Sequence, residues 1–211
     1  MPATRYFEEL AAAFVRGKLG VRGEDAAELI SLGLARGLRL HKFKRQTELP
    51  RVRRVIGILR GLAPENLLDV GSGRGTFLWP LVDAFPELRL LAVDKAERRA
   101  GDIDAVRKGG IVRLSAARMD ACALALQSRS CDVVTALEVL EHLEQPGKAA
   151  AEAVRVARRF VVASVPAHED ENPEHIQLFD ESKLCRLFES VGATRVSFER
   201  VLNHIIAVVR L

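Results

Sequence analysis

Cysteine is scarce in this chain, and so are the aromatics that stack on nucleobases: its 211 residues include three Cys, one Trp and one Tyr. The cysteines, Cys122, Cys131 and Cys185, are odd in number and widely spaced, which speaks against a disulfide framework and a metal knot. Cys122 and Cys185 sit within apolar patterns and are expected to be buried thiols, in keeping with a reducing cytoplasm. No apolar run approaches the ~18 residues that cross a bilayer, so no membrane span is expected. The opening Pro2-Ala3-Thr4-Arg5-Tyr6-Phe7 carries charge where a secretory signal would need its apolar stretch. Repeats and low-complexity tracts are also missing. These absences leave a cytoplasmic globular chain, long enough to bury a substantial core in one domain with a small appendage.

Both signs of charge are plentiful but unevenly placed. Between Arg36 and Arg60 stand nine bases (Arg36, Arg39, Lys42, Lys44, Arg45, Arg51, Arg53, Arg54, Arg60) against Glu48 alone. That segment carries +8 within a net charge of +4, so the remainder carries −4. Clustered Lys and Arg supply the sequence-independent part of nucleic-acid affinity, which suggests a phosphate-bearing partner, RNA or a nucleotide-like metabolite. The other reading is a solvated basic face of an amphipathic helix. Phe43 is the single aromatic inside the run, and the lack of a stacking set argues against single-stranded RNA.

Apolar runs at 66–70, 89–94, 111–115, 131–137 and 159–165 alternate with helical stretches near 75–85, 95–108, 143–157 and 181–191. Such alternation predicts an α/β domain whose parallel sheet has helices on both faces. Asp180 is suited to cap the last helix and Gly192 to end it. Thr194–Val201 and His204–Leu211, separated by Leu202-Asn203, predict a closing antiparallel hairpin. Ahead of the sheet, Phe7, Leu10 and Phe14, and then Val52, Val55, Ile56 and Leu59, recur at helical spacing, with Pro50 suited to a first turn. The chain thus divides into an N-terminal helical part, 1–61, and a sheet domain, 62–211.

Leu67-Leu68-Asp69-Val70 runs into Gly71-Ser72-Gly73-Arg74-Gly75, and Leu90-Leu91-Ala92-Val93 ends on Asp94. Glycines let a backbone turn sharply beside a ligand, and the helix that follows is expected to offer unpaired N–H groups to an anion. An acid closing the next strand is placed to accept from a ribose diol. The pocket so described takes a nucleoside with a charged tail. Position 76 is Thr, so the spacing is G-x-G-x-G and not the G-x-G-x-x-G of dinucleotide sites.

That spacing, with Asp69 two residues ahead, resembles motif I of the class I S-adenosylmethionine-dependent methyltransferases. Met119-Asp120-Ala121, Cys131–Leu137 and Glu138-Val139-Leu140-Glu141-His142-Leu143 follow in the family's order, and the resemblance covers about residues 62–211. It implies a Rossmann-like, mostly parallel seven-stranded sheet with a C-terminal hairpin and an N-terminal helical cap over the pocket. It also implies S-adenosyl-L-methionine as cofactor. Gly71, Ser72 and Gly73 would hold its methionine end, Asp69 its ammonium and Asp94 its ribose. Asp120 and Ala121 would flank the adenine, and Lys95, Leu137 and Glu138 would complete the site. The family's Lys-Pro-Gly-Gly turn before strand five is missing here. So are the Asn-Pro-Pro-Tyr motif of amino-methylating enzymes and the cysteine pair of base C5-methylating ones. The leading expectation is methyl transfer to a small-molecule oxygen or nitrogen. RNA or nucleotide methylation is the alternative, and a non-catalytic cofactor-binding protein is a third reading.

Glu138, Glu141 and His142 are spaced to lie on neighbouring rows of one helix face. The polar segment Pro166–His175 follows strand five at the mouth, where substrates enter open α/β sheets. His142 and His175 are the candidate general bases, because imidazole titrates near neutrality. Glu138, Glu141, His142 and His175 also match the metal ligands of small-RNA 3′-terminal 2′-O-methyltransferases. The same Glu-x-x-Glu-His recurs in metal-free relatives, and here Ile176-Gln177-Leu178-Phe179 replaces the RNA family's Phe-Glu-Trp block, so no metal is expected. Trp79 is assigned to the core, and His41 and His204 to structural or exposed positions.

Overall fold

The computed structural model describes residues 6–45, 49–168 and 172–211. Pro2 to Arg5, Glu48 and the acidic run Glu169-Asp170-Glu171 fall outside them. Seven strands, β1 (Asn66–Val70), β2 (Arg89–Asp94), β3 (Leu114–Arg118), β4 (Cys131–Leu137), β5 (Ala157–Pro166), β6 (Arg195–Val201) and β7 (His204–Arg210), form one sheet. Their order is β3-β2-β1-β4-β5-β7-β6. The first five are parallel, and β7 inserts antiparallel between β5 and β6. The expected hairpin therefore forms, closed through Leu202 at φ 50°.

Side chains alternate across the sheet because successive strand residues point to opposite faces. Leu67, Leu90, Val133 and Val162 face a core shared with α1 (Glu8–Leu19), α2 (Ala26–Ala35), α3 (Pro50–Leu62), α4 (Leu78–Ala84) and α5 (Glu97–Lys108). Leu68, Val134, Val161 and Ala163 face the other core, closed by α6 (Pro146–Val156) and α7 (Glu181–Glu189). Asp180 caps α7 by accepting from Lys183 N at 2.6 Å, and α3 starts on Pro50. α6 passes into β5 without a turn residue, as the missing Lys-Pro-Gly-Gly implies.

Three details depart from expectation. β3 starts at Leu114 and not at 111, because Ile111 folds back to finish the α5 core while Val112 is exposed. Glu138–Leu143 is not a helix start. Leu140–His142 is a single 3₁₀ turn, and α6 begins only at Pro146. Among the free cysteines it is Cys131 that is buried, at the start of the central strand β4, while Cys122 and Cys185 are half-exposed. No helix of the described residues is long and apolar enough to cross a membrane.

The N-terminal helices share the sheet's core, and α1 lies directly on α5. That approach needs residues without side chains at the crossing. A Cβ on Gly17 would fall inside the van der Waals shell of the Ala105 carbonyl, and one on Gly109 inside that of Ala13. Arg16 Nε seals the contact by donating to Gly109 O at 2.8 Å.

Because the obstruction is backbone, Gly17→Ala should destabilise the fold by about 1–3 kcal/mol. Gly101→Ala, on the open side of α5 with nothing within 4 Å, should stabilise it by about 0.5–1 kcal/mol. Urea midpoints of the two variants check the opposite signs.

Candidate functional site

A cavity of about 600 Å³ opens where β1, β2 and β4 end. This is the topological switch point, where the chain leaves β1 for β2 on one side and later returns to β4 on the other. Its wall contains Asp69, Gly71, Ser72, Gly73, Asp94, Lys95, Asp120, Ala121, Leu137, Glu138 and His142. Glu174 joins them, and His175 stands just behind, its ring centroid 4.7 Å from that of His142.

Asp69 sits at the centre of this wall, 2% exposed. It is in register with Thr135 on β4, whose hydroxyl donates to Asp69 Oδ1 at 2.7 Å. Asp69 Oδ2 accepts no hydrogen bond. Burial raises the carboxyl's pKa to about 6, and the hydroxyls of Ser72 and Thr135 only partly pull it back. A buried oxygen without a donor is costly, and a cationic group in the cavity would relieve it.

All three glycines of the turn have positive φ, and two of them are also sterically closed to a side chain. Gly71 and Gly75 take φ of 71° and 84°, and a Cβ on either would strike Val139 or the Trp79 ring. Trp79, buried as expected, braces the turn from below through Nε1 donating to Arg74 O at 2.9 Å. Several of the turn's N–H groups are already used within the protein. Gly71 and Ser72 both donate to Val93 O, Gly73 donates to Asp94 Oδ2 and Gly75 to Ser72 O. The strand ends β1 and β2 consume these donors to hold the turn in place. Asp94 is correspondingly structural as well as exposed to the cavity, its Oδ1 accepting from Ala96 N at 2.8 Å. Each carboxylate oxygen has a second lone pair left for a ligand.

Asp120 lies across the cavity, accepting from Cys122 N at 2.8 Å, with Lys95 Nζ 3.9 Å from Oδ2. The loop that carries it is pinned from α6. Arg155 donates to the carbonyls of Leu124 and Leu126, and Glu152 accepts from Leu124 N. This clamp carried no motif in the sequence.

Glu138 adopts φ 57°, a left-handed conformation that costs a non-glycine residue ~1 kcal/mol. It turns away from Glu141 and His142. Its Oε1 accepts from Ser164 Oγ at 2.8 Å, its Oε2 lies 3.1 Å from His204 Nε2, and Arg51 Nε is 3.9 Å from Oε1. Burial works to raise its pKa, but His204, Arg51 and Ser164 outweigh it and leave the carboxyl below the usual range. His204 thus has a structural place beside the cavity.

Glu138 therefore drops out of the four-residue metal set. Glu141, His142 and His175 do converge, their nearest ligand atoms lying within 4.8 Å of one another. With Glu138 turned to His204, the four-residue set is not assembled, and three of its members are left together. His142 Nδ1 lies 2.9 Å from the Glu174 carbonyl, which can only accept, so Nδ1 carries a proton and in the neutral ring the lone pair is on Nε2.

Sequence reasoning missed Arg51, Val52, Phe77, Arg99, Met119 and Leu143 as cavity residues. The basic segment between Arg36 and Arg60 reads in the sequence as a partner-binding cluster or a solvated face. Of its nine bases Arg51 alone lines the cavity. Lys42 pairs with Asp102, Arg45 with Asp83 and Arg54 with Glu199, tying the N-terminal helices to the sheet domain.

Residues 68–160 match the model of a family described as a methyltransferase domain. No curated protein matches the sequence. A S-adenosylmethionine-dependent methyltransferase from Aquifex aeolicus superposes with a TM-score of 0.63 at 20% identity, over 78% of this chain and 91% of that one. A putative O-methyltransferase from Nostoc punctiforme gives 0.62 at 12% identity, over 76% and 56%. Phosphoethanolamine N-methyltransferase 2 of Haemonchus contortus, in complex with S-adenosyl-L-methionine, gives 0.59 at 18% identity, over 71% and 38%. The seven-stranded sheet is thus the Rossmann-like methyltransferase fold.

Titrating cobalt(II) into the protein should give no saturable visible absorption band from the Glu141, His142 and His175 group. A tight band that His142→Ala abolishes would establish a metal site there after all.

Proposed function

We propose that the chain, which matches a methyltransferase-domain family over residues 68–160 and has that fold, transfers the methyl group of S-adenosylmethionine to an oxygen or nitrogen of a small molecule. The observation that carries this reading is the buried, donorless Oδ2 of Asp69 in the same cavity as Asp94 and Asp120. That oxygen suits an ammonium, the spare lone pairs of Asp94 suit a ribose diol, and Asp120 with Ala121 suits the edge of a purine. Neighbours crystallised with S-adenosyl-L-methionine or its demethylated product support the same cofactor.

When bound, the cofactor supplies an electrophilic sulfonium methyl. The chain's own residues hold the acceptor in line with it, and that proximity provides most of the acceleration. His142 is the proposed general base. Its Nδ1–H is anchored on the Glu174 carbonyl, so Nε2 stands ready at the cavity wall to take the acceptor's proton. His175, edge-on to the His142 ring, holds that orientation. The small-molecule acceptor is supported by the fate of the basic segment, since Lys42, Arg45 and Arg54 are spent on ion pairs within the chain.

Asp94→Ala should weaken binding of S-adenosylhomocysteine by about 2–3 kcal/mol, the worth of hydrogen bonds to a charged group. Calorimetry giving wild-type affinity would remove the ribose assignment. His142→Ala should instead lower turnover and leave that affinity largely intact.

Asp69 sets a pH dependence. Its carboxyl is raised to about 6 in the folded protein, so its contribution to stability is greatest in acid and is lost as pH rises through 6. The loss amounts to ~3 kcal/mol, from 1.36 kcal/mol per pKa unit. An ammonium beside it favours the ionised form, so cofactor affinity should fall up to about tenfold per pH unit below 6. Asp69→Asn should bind weakly and flatten that profile between pH 5 and 7.

Titration with an RNA oligomer at two salt concentrations separates the acceptor classes. Little binding and a shallow salt slope are expected, whereas a steep slope would point to phosphate contacts and an RNA substrate.

A further inference from the structure

We propose that Asn172, in the segment after β5, is a positioning residue for the base: it builds the turn that aims the Glu174 carbonyl at His142 Nδ1. The inference rests on the methyltransferase reading, in which His142 takes the acceptor's proton, and deepens it. A histidine serves as a base at one nitrogen only when the other is held, because the ring can turn over and exchange the two. Here the holding group is a main-chain carbonyl in a loop outside the helices and strands. Residue 173 is proline, which has no N–H and a fixed φ, so the next two N–H groups close the turn. Both end on Asn172. Glu174 N donates to its Oδ1 at 3.0 Å, and His175 N donates to its main-chain oxygen, also at 3.0 Å. Asn172 is exposed and fills no core, so its side chain contributes through hydrogen bonds.

A third bond reaches the second imidazole. Asn172 Nδ2 lies 2.9 Å from His175 Nε2. The amide's orientation follows from its partners, since the atom facing the Glu174 N–H must be the oxygen and the nitrogen then faces His175. An amide nitrogen only donates, so His175 Nε2 accepts, and in the neutral ring the proton is on Nδ1. Both histidines are thereby held in the Nδ1–H form, which free histidine disfavours. Their rings meet edge to face with centroids 4.7 Å apart, so the ring that Asn172 fixes backs the ring that Glu174 fixes. Ile176 N donating to Glu141 O at 3.0 Å and Gln177 Nε2 donating to Leu143 O dock the loop on the 3₁₀ turn. Those two bonds set where the loop lies, and Asn172 sets which atoms it shows to His142. Aspartate in its place would keep the acceptor and lose the donor; alanine would lose both.

Long-range proton–nitrogen NMR of the imidazoles reads each tautomer directly, at a pH of about 8, above the usual imidazole range. Wild type should show His142 and His175 in the Nδ1–H form. Asn172→Asp should put a proton on His175 Nε2, facing the new carboxylate, and leave His142 unchanged, because the Glu174 N–H keeps its acceptor. Asn172→Ala should release the turn, and His142 should lose its Nδ1–H preference and approach the mixture shown by the exposed His41. Wild-type His142 carrying its proton on Nε2, or an Asn172→Ala protein in which His142 keeps the Nδ1–H form, would overturn the inference. Calorimetry with S-adenosylhomocysteine tests the underlying reading separately. Wild type and both variants should bind it alike, since Asn172 is not in the cavity wall. Binding lost in the variants alone would make Asn172 part of the cofactor site and overturn the inference. A wild type that does not bind would remove the methyltransferase reading, and the base with it, whatever the tautomers show.

Discussion

A carboxylate buried at the carboxyl end of the central strand, with one oxygen satisfied and the other not, is the constraint around which this molecule is arranged. Asp69 can be held there only because β4 places Thr135 beside it in register, and because β2 offers the small Ala92 on the other side. Both neighbours exist because β1 lies mid-sheet, between β2 and β4. The cost is recorded in a carboxyl whose pKa is raised to about 6. Such a group is poorly accommodated in the free protein and well accommodated beside a cation, which is the energetic form of a binding site.

The second carboxylate, Asp94, has the opposite character. It spends one lone pair of each oxygen on the backbone of Gly73 and Ala96 and so locks the glycine turn to the end of β2. A turn held this way is rigid before any ligand arrives, and Trp79 packed beneath Gly75 reinforces it. That hold uses the N–H groups of Gly71, Ser72, Gly73 and Gly75. Charged and titratable side chains gather beside the turn.

Those side chains come from three separate parts of the chain. Arg51 is supplied by α3, Glu138 by the strained residue after β4, and His204 by the first residue of β7. The antiparallel hairpin is therefore more than a closing edge, since it delivers an imidazole to the cavity's neighbourhood. The N-terminal helices likewise contribute to the site by one turn only. The rest of their bulk is fused to α5 and the sheet through glycine crossings and ion pairs with Asp83, Asp102 and Glu199.

The sequence alone determined the alternation of strands and helices, the hairpin, and the glycine turn with its three acids, because each is a local pattern of period, turn residue or strand end. Every residue it assigned to the cofactor pocket lies in the cavity wall. It misplaced β3, because Ile111 is apolar whether it continues a strand or plugs a helix core. It drew Glu138, Glu141 and His142 onto one helix face, since their spacing fits a helix equally well when the backbone breaks at a positive φ. Only the tertiary structure decided how charges pair. Nine bases in a row of sequence read as one patch, yet their partners lie 38 residues away for Arg45, 60 for Lys42 and 145 for Arg54. Pairing over such separations depends on which surfaces the fold brings together, and no local pattern carries that information.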